Sequence, residues 1–235
     1  MAFFQIAGLT VRMEPLYAQL TATAQKFLAK PSAQADIIIP YTADDYKKFA
    51  RAYTSMSLSD AENICTSNFF ASAIIPFNGI VLHASALLFE GGAYLFSAAS
   101  GVGKSTHTRL WQQKYGADKA IILNDDKPAL RIFNNTIYAC GTPWSGNCAV
   151  CENISAPLKG IVFLHRGERN QIKRLEKTAE ILPLLLPQTI YKTARQKLSM
   201  VLAFTDKLIL ETPFYKMDCT MSLEAVKIAA DAILK

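Results

Sequence analysis

The sequence has few of the residues that mark disulfide-bonded, zinc-binding or membrane proteins. Its 235 residues include five cysteines, and Cys148 and Cys151 form a lone C-x-x-C pair without a second pair or a histidine at zinc spacing. No apolar run approaches the ~18 residues that a membrane span needs. The amino terminus lacks the basic segment and cleavage site of a signal peptide. We therefore expect a cytoplasmic protein with no membrane partner and reduced thiols. A metal or redox role for Cys148 and Cys151 is the alternative to simple packing.

Runs of like charge are absent as well. The net charge is +6, but the 25 lysines and arginines are scattered, with no basic run of five. We therefore expect no nucleic-acid partner. A composition of 51% hydrophobic and 19% charged residues argues against disorder. The length suits one large α/β domain, or one such domain with a small appendage.

The most informative segment runs from Tyr94 to Thr106. An apolar strand ending at Ser97 is followed by a loop of small residues and then by a helical pattern. This order predicts a phosphate-binding loop, in which backbone N–H groups surround an anion at the helix N-terminus. Ala98 stands where the pattern has its first glycine. The predicted nucleotide-binding residues are Ala99, Ser100, Gly101, Val102, Gly103, Lys104, Ser105 and Thr106.

Two further features bear on the chemistry. Asp125 and Asp126 follow a buried strand, and such strand ends converge beside the loop. One carboxylate is expected to join the Ser105 hydroxyl as a Mg²⁺ ligand, and the other to accept a proton from a hydroxyl acceptor. An exposed turn is the alternative. His83 lies in the middle of a strand, where a histidine either packs or contributes to the site.

The region up to Asn78 predicts a small α/β subdomain, residues 1–78, packed on a nucleotide-binding domain, residues 79–235. We expect a strand over Phe4–Met13, a helix over Glu14–Lys30, and helices with N-terminal capping boxes at Thr42 and Ser59. Residues 79–90 read as one long strand. Gly91 and Gly92 then predict a tight turn, from which the chain returns antiparallel into the loop.

Three other positions allow a functional or a structural interpretation. In the loop over Gly141–Asn147, Trp144 and Ser145 either shape an acceptor pocket or belong to a structural turn, with Gly146 allowing close approach. Arg166 or Arg169 either contacts the nucleotide or is simply solvated.

From Ile80 to Asp126 the chain resembles the catalytic domain of HPr kinase/phosphorylase. The resemblance rests on His83 followed by alanine, the Gly-Gly hairpin, Ser100–Thr106, and Asn-Asp-Asp at 124–126. It implies the mixed-sheet P-loop α/β fold shared with ATP-type phosphoenolpyruvate carboxykinases. It also implies an ATP- and Mg²⁺-dependent kinase in which Asp126 is the base, Asp125 lies beside the metal, His83 lies near the acceptor and Lys104 binds phosphate.

The chain also departs from that family. It lacks the glycine-rich signature that HPr kinases carry after the aspartates, which makes HPr a poor candidate acceptor. We therefore expect a small-molecule or peptide hydroxyl as the acceptor. A non-catalytic nucleotide-dependent switch is the alternative, and a carboxykinase is disfavoured by the short chain. GTP or pyrophosphate as the donor and self-association into a homo-oligomer stay open.

Overall fold

The computed structural model describes residues 1–32, 34–146, 149–190 and 195–234. The strands are β1 (Ala2–Ile6), β2 (Leu9–Met13), β3 (Ile37–Ile38), β4 (Gly79–Leu82), β5 (Ala84–Phe89), β6 (Gly92–Ser97), β7 (Ile121–Asn124), β8 (Ala129–Phe133), β9 (Thr136–Cys140), β10 (Ser155–Arg166), β11 (Gln171–Leu175), β12 (Thr189–Ile190) and β13 (Phe214–Cys219). The α-helices are α1 (Ala18–Ala24), α2 (Ala43–Ala50), α3 (Leu58–Ala73), α4 (Lys104–Tyr115), α5 (Thr178–Leu185), α6 (Arg195–Glu211) and α7 (Leu223–Ile233). Cys148 lies outside the described residues, so the C-x-x-C prediction stays untested.

The amino-terminal segment is a hairpin rather than one strand. The prediction of a single strand over Phe4–Met13 is wrong, because Ala7 and Gly8 both have positive φ and turn β1 back against β2. β3 adds to β2 in parallel and completes a three-stranded sheet. The helix predicted to Lys30 is also shorter, since α1 passes at Gln25 into a 3-10 turn that ends at Phe27.

One of the two predicted capping boxes has the expected residues. Thr42 caps α2, and its backbone N–H donates to the Asp45 carboxylate at 2.8 Å. The box predicted at Ser59 is wrong by two residues, because Ser57 caps α3 and accepts from the Asp60 N–H at 3.0 Å. Glu62 is instead buried and accepts the backbone N–H groups of two residues that precede α1.

A mixed sheet of ten strands forms the centre of the described part of the chain. Its order is β12-β4-β8-β9-β10-β6-β5-β7, with β13 pairing to both β10 and β11. The first residues of β10 pair with β9, and its later residues pair in parallel with β6 and β13. Since one long strand joins two sets of neighbours, the sheet curls around β10.

Apolar side chains alternate between the two faces of the central strands. Ile161 and Phe163 of β10 face a core shared with α5 and α6, whereas Val162 and Leu164 face a core shared with α4 and α7. These four residues form a continuous apolar run, as expected for a strand buried on both faces. Helices therefore cover both sides of the sheet.

The strand predicted over residues 79–90 is interrupted at His83. β4 pairs with β8 and β12, whereas β5 pairs with β6 and β7, so the chain changes neighbours at this residue. The tight turn that follows is centred on Glu90 and Gly91, both with positive φ, and Gly92 already pairs with Phe89. The predicted Gly91-Gly92 turn is thus displaced by one residue, but β6 does return antiparallel.

The amino-terminal sheet and the central sheet share one core. Phe4, Val11 and Leu20 pack in the same buried cluster as Val81 and Ala129. The division of the chain after Asn78 stays a prediction. Within the described residues, no helix combines the length and apolar character needed to cross a membrane.

Candidate active site

A glycine-rich loop, residues 98–103, connects β6 to α4. Gly101 and Gly103 have φ values of 77° and 119°, which L side chains rarely adopt. A Cβ at Gly103 would also lie 2.4 Å from the Met221 Cε. No side chain caps α4, so N–H groups of its first turn lack the usual side-chain partner. The loop therefore has the geometry of an anion-binding helix start.

Ala98 is accommodated without strain. It is not among the residues with positive φ, so alanine fits where the sequence pattern has glycine. Its carbonyl accepts a hydrogen bond from Lys104 Nζ at 3.2 Å. Lys104 is only 7% exposed. Burial lowers the pKa of Lys104, and the nearby Asp126 and Asp125 carboxylates oppose that shift.

Asp125 and Ser105, the predicted metal ligands, lie together. Burial raises the pKa of Asp125, and hydrogen bonds from the hydroxyls of Ser105 and Ser85 partly offset this effect. The Ser85 Oγ lies 3.2 Å from Asp125 Oδ1 and 2.9 Å from Thr108 Oγ1. Asp125 is 4% exposed, which rules out the exposed turn considered from sequence.

Asp126 has a basic partner at each carboxylate oxygen. His83 Nε2 lies 3.3 Å from Oδ1, and Lys127 Nζ lies 3.7 Å from Oδ2. Burial raises the pKa of Asp126, but the His83 hydrogen bond and the charges of Lys127, His83 and Lys104 outweigh it. The net pKa lies below its ordinary value. Asp126 is therefore a carboxylate at neutral pH, and a quarter of its side chain stays exposed.

His83 is fixed by contacts on three sides. Its backbone N–H donates to the Gln188 carbonyl at 2.7 Å, and its carbonyl accepts from Ser97 Oγ at 2.8 Å. Its Nδ1 lies 3.1 Å from Gln188 Oε1, within hydrogen-bond distance. The break between β4 and β5 thus aims the imidazole at Asp126.

Asn124, at the end of β7, organises the turn that carries both aspartates. Its Oδ1 accepts the backbone N–H groups of Asp126 at 2.8 Å and Lys127 at 2.6 Å. Its Nδ2 donates to the carbonyls of Thr142 and Trp144. This fully buried amide therefore ties the aspartate turn to the 141–146 loop.

Sequence reasoning assigned no role to Asn124, Lys127 or Gln188. The first two belong to the run Asn-Asp-Asp-Lys, and a polar asparagine at the end of an apolar strand was an available signal. Gln188 follows α5, more than a hundred residues after His83, and the sequence carries no local signal that links them.

Two other predictions concerned Trp144 and the arginines. Trp144 is 1% exposed, packs against the Phe70 ring in a tilted arrangement, and donates from Nε1 to Thr66 Oγ1 at 2.9 Å, so it belongs to the core. Arg166 donates to the carbonyls of Gly101 at 2.7 Å and Val102 at 3.4 Å. Arg166 therefore contacts the backbone of the glycine-rich loop but is not among the residues that line the loop cavity described next.

Two cavities meet at Asp126. The first, here called the loop cavity, has a volume of about 350 Å³. It is lined by His83, Ser100, Gly101, Gly103, Lys104, Ser105, Thr106, Asp125, Asp126 and Gly146. The predicted residues Ala99 and Val102 do not line it; Ala99 is exposed and Val102 packs on the core. The loop cavity thus collects most of the predicted nucleotide and metal residues.

The second cavity, here called the outer cavity, has a volume of about 480 Å³. It lies between the segment over 53–64, which leads into α3, and the residues Asp126, Lys127, Ser145 and Gly146. Asp126 and Gly146 line both cavities, whereas His83 lines only the first and Lys127 only the second. One carboxylate therefore faces two separate spaces.

The described residues contain no group of three or more His, Cys, Asp or Glu side chains that could hold a metal ion. Mg²⁺ needs no such cage, because it commonly binds one or two protein oxygens together with waters and substrate phosphates. The adjacent Ser105 hydroxyl and Asp125 carboxylate are hard oxygen donors of that kind. These residues therefore fit a magnesium ion that is shared with a phosphate substrate.

Comparison with solved structures finds, among others, the HPr(Ser) kinase/phosphatase from Coxiella burnetii. It is 11% identical to this chain, with a TM-score of 0.37, and the match covers 66% of this chain and 96% of that one. At this TM-score the likeness supports no functional inference. No protein-family model and no curated protein matches the sequence.

Proposed function

We propose that this protein is an ATP- and Mg²⁺-dependent kinase of the HPr kinase and phosphoenolpyruvate carboxykinase type, which transfers the γ-phosphoryl group to a hydroxyl. One observation carries the proposal: the Asp126 carboxylate lies on the wall shared by the loop cavity and the outer cavity. A kinase needs a donor site and an acceptor site that meet at a proton acceptor. The arrangement around Asp126 supports that assignment.

The donor phosphates would bind in the loop cavity. Gly101 and Gly103 leave room for close approach of an anion, and the uncapped start of α4 favours negative charge. Lys104 Nζ would exchange its bond to the Ala98 carbonyl for the phosphate oxygens. Since burial lowers the pKa of Lys104, a bound polyanion would favour its charged form.

Ser105 and Asp125 would hold the magnesium ion. When bound, the ion neutralises negative charge on the phosphate oxygens. The pKa of Asp125 is raised because its hydrogen bonds do not fully offset the cost of burying its negative charge. A cation beside it would favour the ionised form, so metal binding and deprotonation of Asp125 are coupled.

Transfer then follows from the position of Asp126. The acceptor hydroxyl oxygen forms a bond to the γ-phosphorus, the bond from that phosphorus to the β–γ bridging oxygen breaks, and ADP leaves with the electron pair. Asp126 takes the hydroxyl proton and later releases it to solvent. Its lowered pKa keeps it ionised at neutral pH, and His83 orients it through Oδ1.

The proposal is tested by transfer from γ-labelled ATP with Mg²⁺ into cell extract split into macromolecules and small metabolites. Wild-type protein should label one fraction. Asp126→Asn should reduce the transfer rate by about 10²–10⁴-fold, the usual contribution of a general base, while ATP affinity changes little. ATP binding without transfer by the wild type would contradict the kinase assignment and would favour a nucleotide-dependent switch. Equal transfer by both proteins would contradict the role of Asp126 as the proton acceptor.

A further inference from the structure

The proposed donor site occupies the loop cavity, which leaves the outer cavity without an assigned role although Asp126 lines it. Its walls come from helices and loops: Gln19 of α1, the segment over 53–56, Asn63 and Ile64 of α3, and the loops at 126–127 and 145–146. None of the lining residues that the structure describes belongs to a strand, so these residues offer no sheet edge to which a peptide could add. Its volume of about 480 Å³ lies within the range of small-molecule sites.

Each oxygen of Asp126 has a basic partner, and the two partners line different cavities. His83, which lines the loop cavity, contacts Oδ1, whereas Lys127, which lines the outer cavity, contacts Oδ2. An acceptor that enters from the outer cavity therefore meets Asp126 on the side opposite His83. Its hydroxyl would approach Oδ2 beside the Lys127 ammonium, which also donates to Ser67 Oγ at 3.1 Å.

The Asp126 charge in the outer cavity is paired with Lys127, and Asp60 lies in the first turn of α3, where the helix N-terminus favours negative charge. Among the lining residues that the structure describes, Lys127 is the one cation. An acceptor with a carboxylate or phosphate group would therefore have no free positive partner among these residues. Asp60 accepts a hydrogen bond from the Ser57 hydroxyl at 2.6 Å through Oδ2, which leaves Oδ1 to accept from a ligand hydroxyl.

The remaining polar lining is neutral. Amide and hydroxyl groups come from Gln19, Thr54, Ser55, Asn63 and Ser145. These side chains both donate and accept hydrogen bonds, as a hydroxyl group does. Tyr53, which is 51% exposed, adds an aromatic ring to the wall. This combination suits a ligand with several hydroxyl groups and apolar C–H faces.

We infer that the outer cavity is the acceptor site, and that the acceptor is a small, neutral, polyhydroxylated compound such as a monosaccharide or a cyclitol. This inference rests on the proposed kinase function and specifies its substrate class. One hydroxyl of the acceptor takes the γ-phosphoryl group and gives its proton to Asp126, as described above. The other hydroxyls bind Gln19, Asn63 and Asp60.

The test uses γ-labelled ATP, Mg²⁺, the full chain and an extract of the source cells that is split into macromolecules, peptides and small metabolites. The labelled product is isolated, passed over a cation exchanger and treated with periodate, which cleaves vicinal diols. The acceptor is then purified, and its kcat and KM are measured with Gln19→Leu, Tyr53→Ala and, as a control on the exposed face of α2, Lys48→Ala.

We expect a product that the cation exchanger does not retain and that periodate destroys. Gln19→Leu and Tyr53→Ala should each raise the acceptor KM about fivefold to tenfold, with kcat and the ATP KM near wild type, since each removes about one hydrogen bond or ring contact. Lys48→Ala should change neither constant.

Other outcomes distinguish a failure of the acceptor assignment from a failure of the kinase assignment. Label in a cationic compound, in a peptide or in a protein would overturn the polyhydroxylated acceptor and leave the kinase intact. An unchanged acceptor KM in both cavity variants would overturn the outer cavity as the acceptor site. Absence of label from every fraction, despite ATP binding, would overturn the kinase and this inference with it.

Discussion

Asp125 and Asp126 are neighbours in the chain, yet their carboxyl groups lie in opposite electrostatic surroundings. Burial raises the pKa of Asp125, whereas His83, Lys127 and Lys104 bring the pKa of Asp126 below its ordinary value. Two carboxylates whose pKa values are pushed apart suit two different tasks. The under-compensated Asp125 suits a metal ion, and the ionised Asp126 suits a proton acceptor.

The raised pKa of Asp125 predicts that the site lowers the stability of the protein. The folded state binds this proton more tightly than the unfolded chain, so the stability from protonated Asp125 is present below about pH 4 and is lost as the pH rises through the raised folded pKa. At neutral pH, Asp125→Asn should therefore raise the free energy of unfolding, by about 0.5–2 kcal/mol.

Urea unfolding at a series of pH values measures this effect. The gap between Asp125→Asn and wild type should widen as the pH rises from about 4 and then become constant. The variant should also lose the tightening of ATP binding by Mg²⁺. A variant that is less stable than wild type at neutral pH would contradict this account of Asp125.

Asn124 shows how one buried amide can hold two loops. Replacing it with alanine leaves the N–H groups of Asp126 and Lys127 and the Thr142 carbonyl without their partner. We expect Asn124→Ala to lower the free energy of unfolding by about 2–4 kcal/mol, because several buried polar groups lose hydrogen bonds. Chemical denaturation measures the loss. Asn124→Asp is the matched variant, since it keeps the acceptor for both N–H groups and removes the donor.

At the scale of elements, the glycine-rich loop and α4 depend on contacts from distant segments. Met221, between β13 and α7, packs against Gly103, and Arg166 at the end of β10 binds the loop carbonyls. The sequence pattern predicts the loop because strand, glycines, lysine and helix are contiguous. It cannot predict Met221 or Arg166 as partners, since those contacts depend on how β10 and β13 pair with the sheet.

Gly103 provides a prediction at this scale. Gly103→Ala meets both an unfavourable φ of 119° and the Met221 side chain. We expect ATP affinity to fall by at least tenfold, measured by calorimetry. Combining Gly103→Ala with Met221→Ala should relieve the steric overlap but not the backbone conformation, so affinity should recover only in part. Full recovery would show that φ at residue 103 is unimportant.

Some boundaries of the helices and strands can be predicted from neighbouring residues in the sequence, and others cannot. The capped start of the helix at Thr42 was predictable, because its signal lies within a few residues. The break at His83 was not. Residues 79–90 are mostly apolar, and only the pairing of β4 with β8 and of β5 with β6 separates them into two strands.

At the scale of the whole molecule, the amino-terminal part and the central sheet are joined through the loops of the candidate site. Trp144 packs on Phe70 of α3 and bonds to Thr66, while its own carbonyl accepts from Asn124. Lys26 Nζ donates to the Cys151 carbonyl at 2.9 Å. The outer cavity lies at this junction, so both parts of the chain contribute to it.

This shared core predicts that a fragment of residues 79–235 does not fold as an independent domain. Its Val81, Ala129 and Cys140 would lose the apolar partners that the first 78 residues supply. We expect the fragment to aggregate or to lack near-ultraviolet circular dichroism, whereas the full chain unfolds cooperatively. A fragment that is monomeric, cooperatively folded and binds ATP would establish the predicted boundary after Asn78 as a true domain boundary.

The central claim is that Asp126 accepts a proton while the γ-phosphoryl group moves from ATP to a hydroxyl. Phosphorus NMR of the full chain with ATP, Mg²⁺ and the small-molecule fraction of the source cells tests it most directly. The account predicts that the γ-phosphate resonance decays as a phosphomonoester resonance grows in equal amount, and that Asp126→Asn suppresses both changes. Decay of the γ-phosphate resonance into inorganic phosphate alone, or an unchanged spectrum with ATP bound, would contradict it.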